Sequence, residues 1–310
     1  MIGRPVLARA RARLDEMVRP GVRYMVAGAF FFSVMGALVK WAGRRLPSQE
    51  IVLARAVVTL VLSWAMVRRA GVTPWGSDRR LLVVRGVLGF IALSCFYYAV
   101  VHLPLADATV IQYTNPVFTA AIAAWLLGER VRLVAVGCMG ASLVGVVLIA
   151  RPSFLFGGGG ALDPAAVAIA LAGAIFSAAA YVTVRRLRAT EDALVVVFYF
   201  ALVSTIGAVP TTAPVAVWPG PLEWLLLLGV GITTQIAQVY MTRGLHLEPA
   251  GRATAIGYLQ IVFAGVWGAL FFDEIPDGTG IAGAALIVAS TFLLGRRAGD
   301  ARAPGAELRG

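Results

Sequence analysis

The chain has 310 residues, of which 59% are hydrophobic and only 14% are charged, and its mean hydropathy is +0.83. This excess of apolar residues excludes a water-soluble globular protein and predicts a protein that crosses the membrane many times. The net charge of +11 does not indicate a nucleic-acid partner, because the arginines form short clusters between apolar runs, as in the cytoplasmic loops of membrane proteins.

A basic tail at residues 1–23 precedes ten apolar runs, each of about 20 residues, the length that spans a bilayer as a helix. The runs lie near 24–40, 48–67, 82–101, 105–127, 131–150, 165–184, 193–211, 222–241, 250–272 and 278–295. The predicted fold class is therefore all-α, a polytopic membrane protein with ten transmembrane helices.

Basic residues alternate between rich and poor loops along these ten spans. With the N-terminus inside, twenty-two of the 27 Lys and Arg residues fall on the cytoplasmic side, Arg85 near the start of the third span among them, and four fall outside. The remaining cation, Arg55, lies within the second span. This pattern predicts a bacterial cytoplasmic membrane protein with both termini in the cytoplasm.

The fourth and ninth spans are two copies of one stretch. At a fixed offset of 145, Pro104 aligns with Pro249, Tyr113 with Tyr258 and Glu129 with Glu274. Such self-similarity indicates an internal repeat. The predicted units are the tail at 1–23, a first repeat at 24–150, a Gly-rich outer linker at 151–164, a second repeat at 165–295 and a tail at 296–310. Because each repeat has five spans, the second is inverted, which is typical of alternating-access transporters.

The arrangement of the spans resembles the EamA-type transporters of the drug/metabolite transporter superfamily. The resemblance covers roughly residues 24–297 and rests on Arg55, Leu103, Pro104, Gly128, Glu129 and the second-half copies of the last four. It implies a basket-like bundle of ten helices around a central cavity. It also implies transport of amino acids, nucleoside-like metabolites, vitamins or drugs.

Two positions depart from the family pattern. Phe31 and Phe32 replace a Trp-Gly pair that is common early in the first span, and Pro116 in span four has Ile261 opposite it in span nine. Proline removes a backbone donor and leaves the carbonyl one turn earlier, at Gln112, without its partner. We therefore expect Pro116 to act as a gating point, with a larger bend in span four than in span nine.

Polar and aromatic side chains within the spans are candidates for a substrate cavity, because polar groups at membrane depth must face protein, water or ligand. The candidates are Gln112, Asn115, Gln235, Gln238, Tyr258, Gln260, Tyr98, Tyr181 and Phe32. Hydrogen bonding between helices explains Gln112 and Asn115 equally well, and anchoring at the membrane interface is an alternative for Tyr98 and Tyr181. The pair Gln235 and Gln238 is the preferred one, since two amides facing lipid would be costly.

Two cations have alternative roles. Arg55 is interpreted first as a structural ion pair with Asp107, Asp273 or Glu274, and second as an anchor for a substrate carboxylate. Lys40, at the end of span one, has the same two interpretations, or its ammonium group extends to the membrane surface.

No combination of residues indicates catalysis, a metal site or a cofactor, since Cys95, Cys138, His102 and His246 are isolated from one another. The expected partners are a small-molecule substrate and the lipid bilayer, with the protein a monomer or a homodimer. The favoured function is export of amino acids or related amphipathic compounds by alternating access. The alternatives are uptake of a nucleoside- or vitamin-like metabolite, such as S-adenosylmethionine or riboflavin, and, more distantly, an intramembrane lipid-modifying enzyme.

Overall fold

The computed structural model describes residues 19–156, 162–273 and 275–296, and every regular element in these ranges is an α-helix. The two predicted tails, except for a few residues next to the helices, lie outside these ranges, as do the glycines of the linker and Glu274. The helices are α1 (Pro20–Ala42), α2 (Ser48–Arg69), α3 (Arg79–His102), α4 (Leu105–Gln112), α5 (Asn115–Leu127), α6 (Leu133–Ala150), α7 (Ser153–Phe156), α8 (Pro164–Leu187), α9 (Ala193–Thr212), α10 (Pro221–Leu247), α11 (Ala250–Ile256), α12 (Leu259–Phe271) and α13 (Gly278–Arg296).

Local sequence signals set where these helices begin. Helices α1, α8 and α10 each start at a proline, which has no N–H group to leave unsatisfied in the first turn. Helices α3, α8 and α9 follow an aspartate whose carboxylate accepts a hydrogen bond from a backbone N–H of the first turn: Asp78, Asp163 and Asp192. Within each helix, backbone groups hydrogen-bond mainly to one another, as a bilayer requires.

Nine segments of the described chain are long and apolar enough to cross a membrane, and they correspond to the first nine predicted spans. The tenth predicted span is α13, whose apolar part, Gly278–Leu294, is shorter. The chain is therefore an all-helical, multi-pass membrane protein. We call the membrane face on which α1 begins the first face, and the other the second face.

Both copies of the repeated stretch are broken helices. Span four changes from α4 to α5 at Tyr113 and Thr114, and span nine changes from α11 to α12 at Gly257 and Tyr258. The two interruptions have the same length and, on the offset of 145, lie one residue apart; a larger bend in span four at Pro116 stays a prediction.

Pro116 belongs to the first turn of α5, where a missing N–H costs no helical hydrogen bond. The Gln112 carbonyl, which we expected to lack a partner, accepts a hydrogen bond from Asn115 Nδ2 at 2.9 Å. Polar side chains next to the break therefore satisfy the backbone groups that the break releases.

The two halves pack against each other through reciprocal pairs of helices. Helix α3 packs on α8 and α10 packs on α1, so the third span of each half lies against the first span of the other. Equivalent spans also meet, α2 against α9 and α6 against α13. Helices α6 and α13 approach closely because glycines meet there: a Cβ atom at Gly145 would lie 2.6 Å from the Gly283 carbonyl oxygen.

Two glutamates, one from each half, make equivalent hydrogen bonds to a loop of the other half. Glu50, in the first turn of α2, accepts a hydrogen bond at 3.0 Å from the backbone N–H of Val217, in the loop before α10. Glu191, just before α9, accepts one at 2.7 Å from Ser77, in the loop before α3. Each half therefore holds the loop before the other half's third span, as expected for inverted repeats.

One packing contact has no equivalent copy. Near the first face, α11 lies on α5, and a Cβ atom at Gly251 would lie 2.7 Å from the Cβ of Ala120. The corresponding pair near the second face is α4 with α12, and no interface of similar extent joins their described residues. Gly265, the repeat equivalent of Ala120, has open space where a Cβ would stand. The two broken helices are thus closed together at the first face and apart at the second.

Candidate substrate cavity

A cavity of about 260 Å³ lies between the two halves, next to both helix breaks. The structure places most of the predicted site residues on its wall: Phe32, Arg55, Gln112, Asn115, Pro116, Tyr181, Gln238 and Gln260. It also adds residues that were not predicted, among them Arg85, Gly89, Phe96 and Phe200. Substrate binding by these residues stays a prediction.

The amides on the wall differ in how far their hydrogen bonds are satisfied. Gln112 Nε2 donates to Ser177 Oγ on α8 at 3.0 Å, so this amide takes part in the helix-to-helix hydrogen bonding considered as an alternative. Gln238 is 7% exposed, and no group in the described ranges hydrogen-bonds its Oε1. A buried amide oxygen left in this way can accept a donor from a ligand in the cavity.

Two predicted cavity residues lie behind the wall, and each makes another contact. Gln235 does not line the cavity, because its Oε1 accepts from Ser63 Oγ at 3.0 Å and its Nε2 faces the sulfur of Met66. Tyr258 is fully buried, and its hydroxyl donates to the Tyr113 carbonyl at 2.8 Å.

The rings of Tyr113 and Tyr258 stack with their centroids 5.7 Å apart. These tyrosines occupy equivalent positions in the two repeats, so their contact lies at the pseudo-two-fold axis that relates the two halves. Tyr258 therefore contacts the break in span four and does not line the cavity, where we expected it.

Tyr98 and Lys40 also lie away from the central cavity. Tyr98 stacks on His102 at 3.9 Å and lines a second space of about 280 Å³ near the second face. Leu93 lines both spaces, so the two spaces are neighbours. Lys40 Nζ lies 4.5 Å from the centre of the Phe272 ring and does not line the cavity wall.

The ion pair expected for Arg55 is not formed with Asp107 or Asp273. Asp107 instead accepts hydrogen bonds from the backbone N–H and the hydroxyl of Ser153. Arg55 is 8% exposed and lines the cavity, and no acid in the described part of the chain pairs with it. The third expected partner, Glu274, lies outside the described residues.

Arg85 is the functional candidate that sequence reasoning assigned to the wrong place. It lies in the second turn of α3, is 3% exposed and lines the cavity. Its guanidinium carbon lies 4.4 Å from the centre of the Phe200 ring, a cation–π contact between the halves. Neither Nε nor Nη1 of Arg85 has a hydrogen-bond partner among the residues that the structure describes.

Gly89 makes room for this arginine one turn further along α3. A Cβ atom at residue 89 would overlap Arg85 Nη1 and would lie 2.7 Å from Phe200 Cε2. A glycine four residues after a buried arginine on one helix face is the signal that could have located Arg85 inside the bundle.

A third buried arginine, Arg185, closes the first face. Its Nε donates to Glu129 Oε1 at 2.9 Å, and its Nη1 donates to the carbonyls of Leu245 at 3.1 Å and His246 at 2.6 Å. Glu129 Oε2 also accepts the Ala250 N–H at 2.9 Å. This network, which we call the first-face network, joins the ends of α5, α8 and α10 to the start of α11.

Comparison with known proteins agrees with this architecture. The family model described as the EamA-like transporter family matches residues 19–151 and 164–296, once in each half. The pseudopaline exporter CntI of Pseudomonas aeruginosa is 37% identical over 91% of this chain and 98% of its own. The S-adenosylmethionine uptake transporter of Rickettsia prowazekii is 22% identical over 88% of this chain and 92% of its own.

A protein of known crystal structure, 20% identical, has the same fold with a TM-score of 0.78 over 90% of this chain and 98% of its own. The family model accounts for both halves and for the spans that enclose the cavity. The chain therefore belongs to the EamA-like transporter family and is a membrane transporter, not an enzyme.

Proposed function

We propose that this protein is an alternating-access exporter of small organic metabolites related to amino acids. The observation that carries the proposal is the unequal packing of the two broken helices around one cavity. Inverted repeats can adopt two arrangements of nearly equal energy, one open to each side. A molecule with α5 and α11 joined and α4 and α12 apart corresponds to one of these two arrangements.

The contacts at the two faces support this cycle. At the first face, Arg185 and Glu129 close the bundle, whereas near the second face a further space beside Tyr98 neighbours the cavity. In the opposite state, the first-face network would open and the repeat-equivalent contacts near the second face would form. The breaks at Tyr113 and Tyr258 are the points at which each span can bend.

The first face is the cytoplasmic one in this proposal, and the membrane is the bacterial cytoplasmic membrane. Support comes from the distribution of arginines. They are concentrated in the loops that follow α2, α5 and α8, which lie at the first face, and such loops are cytoplasmic in membrane proteins. The structure is then the outward-open arrangement, in which an exporter releases its substrate.

The cavity wall supports an amphipathic substrate. Amides from both halves, Gln112 and Gln238, offer donors and acceptors, while Phe32, Phe96 and Tyr181 offer apolar surface. The relative named as an exporter favours export. The relative named as an uptake transporter for S-adenosylmethionine keeps uptake as the second candidate.

Transport by the purified protein in liposomes tests the proposal. Counterflow of radiolabelled amino acids, dicarboxylates and nucleosides identifies the class that is moved, and everted vesicles of a bacterial host measure direction. We expect accumulation of an amino-acid-like compound in everted vesicles. Movement of nucleosides alone, or movement only toward the cytoplasm, would support the uptake alternative. If no compound moves, the transport proposal for these substrate classes fails.

A further inference from the structure

Two arginines line the cavity while no acid does so in the described part of the chain. Arg55 and Arg85 are 8% and 3% exposed, and both lie on the wall. A buried charge without a partner costs several kcal/mol, because the interior replaces its water shell with little in return. The Phe200 ring compensates Arg85 only in part, since a cation–π contact is worth about 2 kcal/mol when desolvated.

The protein's own buried acids already have partners elsewhere. Backbone N–H groups bind Glu50, Asp107 and Glu191, and arginines away from the cavity bind Glu129, Glu223 and Glu248. None of these acids lines the cavity. No acid in the described ranges is therefore left to neutralise Arg55 and Arg85, which favours an anion that enters with the ligand.

The two arginines reach the cavity from opposite directions. Arg55 is the eighth residue of α2, which begins at the second face, and Arg85 is the seventh residue of α3, which begins at the first face. At 1.5 Å rise per residue, each Cα lies about 10 Å inside its own face, so the two Cα atoms differ in depth by roughly 12 Å. Each guanidinium group carries one positive charge, so a single carboxylate, even one that contacts both groups, neutralises only one of the two.

We propose that the substrate carries two acid groups, one paired with Arg55 and the other with Arg85. This inference rests on the proposed transport function and names the chemical class of its substrate. A guanidinium group binds a carboxylate with two parallel hydrogen bonds, and the free donors of Arg85 are available for such a pair. The part of the substrate between its two acid groups would lie beside the amides of Gln112 and Gln238.

Matched ligands of decreasing charge test this inference on the purified full-length protein. The probes are the dicarboxylates succinate, glutarate, adipate and suberate, together with the half-amide and the diamide of each. The readouts are the shift in unfolding temperature and the inhibition of counterflow. We expect at least one dicarboxylate to bind about tenfold or more tightly than its half-amide, with the diamide weaker again, since each lost charge removes one pair.

Arginine variants connect this preference to the two side chains. In Arg55→Met and in Arg85→Met, the dicarboxylate and its half-amide should bind equally, because only one anion-binding group remains. The matched control is Arg68→Met, an exposed arginine 5.6 Å from the Trp64 ring, which should keep the wild-type preference. If a methionine variant fails to fold, the corresponding lysine variant, which keeps the charge, should retain the preference in weakened form.

The outcomes separate the two proposals. Transport of neutral or zwitterionic compounds without any response to dicarboxylates would overturn the diacid inference and leave the transport function standing. Equal binding of each diacid and its half-amide by the wild type would also overturn it. Absence of transport for every compound tested would instead contradict the proposed function.

Discussion

The first-face network and the central cavity both bury arginine, but they treat its charge in opposite ways. Arg185 is held by the Glu129 carboxylate and by two backbone carbonyls. Arg85 lies against the Phe200 ring and Arg55 lies on the cavity wall, and no acid of the described chain pairs with either of them. One region therefore uses arginine to fasten helices together, and the other keeps cationic groups ready for a ligand.

This difference indicates that the role of a buried charge in a membrane protein depends on whether the charge has a partner. A satisfied pair contributes to the closed arrangement of the helices and is lost at a cost in stability when one partner is removed. Unsatisfied cations lower stability and persist where function requires them, which is the usual trade-off at binding sites. Stability and transport should therefore respond in opposite directions to substitutions in the two regions.

The largest effect is expected for Arg185→Met. This change leaves Glu129 only 18% exposed and without its cation, a loss of about 3 kcal/mol. For a chain of this size the unfolding temperature should fall by roughly 5 °C, as measured by thermal unfolding in detergent. The double variant Arg185→Met with Glu129→Met is the control and should recover much of the loss, because it removes both charges. If Arg185→Met were as stable as the wild type, the stabilising role of the first-face network would be contradicted.

The closing contact at the first face can be locked by a disulfide. In a background with Cys95→Ala and Cys138→Ala, the pair Ala120→Cys and Gly251→Cys places its two Cβ positions 2.7 Å apart, so a disulfide can form once the two helices separate by about 1 Å. Oxidation should stop counterflow almost completely, and a reductant should restore it. Each single cysteine variant is the control. Full transport by the cross-linked protein would mean that the first face need not open.

A smaller effect is expected for Gly89→Ala, which sharpens the role assigned to the cavity arginines. The added methyl group pushes the Arg85 guanidinium away from Phe200, a contact worth about 2 kcal/mol. The apparent affinity for the transported anion should fall by roughly tenfold. Gly140→Ala is the matched control, since nothing lies within 4 Å of its Cβ position. Unchanged affinity in Gly89→Ala would argue against a role for Arg85 in binding.

The smallest effect is expected at an exposed ion pair near the second face, between Arg151 and Asp277. Hydrogen bonds from the Gly280 N–H and the Thr279 hydroxyl, together with Arg151, hold the pKa of Asp277 below its ordinary value. The stabilisation is thus present at neutral pH and is lost as the pH falls below about 4. Asp277→Asn should lower the unfolding temperature by about 1 °C or less at pH 7, and the difference should vanish in acid. A large shift would mean that exposed pairs matter as much as buried ones.

Much of the fold could be predicted because its signals are local and repeated. Runs of apolar residues set the spans, and the offset that relates Tyr113 to Tyr258 reveals the two halves. The number of spans per half then gives the inversion. The symmetric helix breaks could not be predicted in the same way, because Pro116 is present in one copy only. The breaks depend on contacts between distant residues, such as the Tyr258 hydroxyl on the Tyr113 carbonyl.

The cavity was predicted only in part for a related physical reason. Gln235 and Gln238 lie three residues apart on α10, yet Ser63 on a neighbouring helix takes up the first and leaves the second on the wall. Arg85 lies close to a cluster of arginines at the helix start, so sequence alone groups it with the loop charges. Its burial follows from α9, which places Phe200 against it, and the local sequence indicates that packing only through Gly89, four residues further along α3.

The unfolding temperature of purified Arg85→Met tests the central claim most directly. If Arg85 is an unpaired cation kept for the ligand, removing its charge should leave the unfolding temperature unchanged or higher while counterflow of the transported anion is lost. A fall in the unfolding temperature as large as that of Arg185→Met would contradict the account, because it would show that Arg85 fastens the fold in the same way as Arg185.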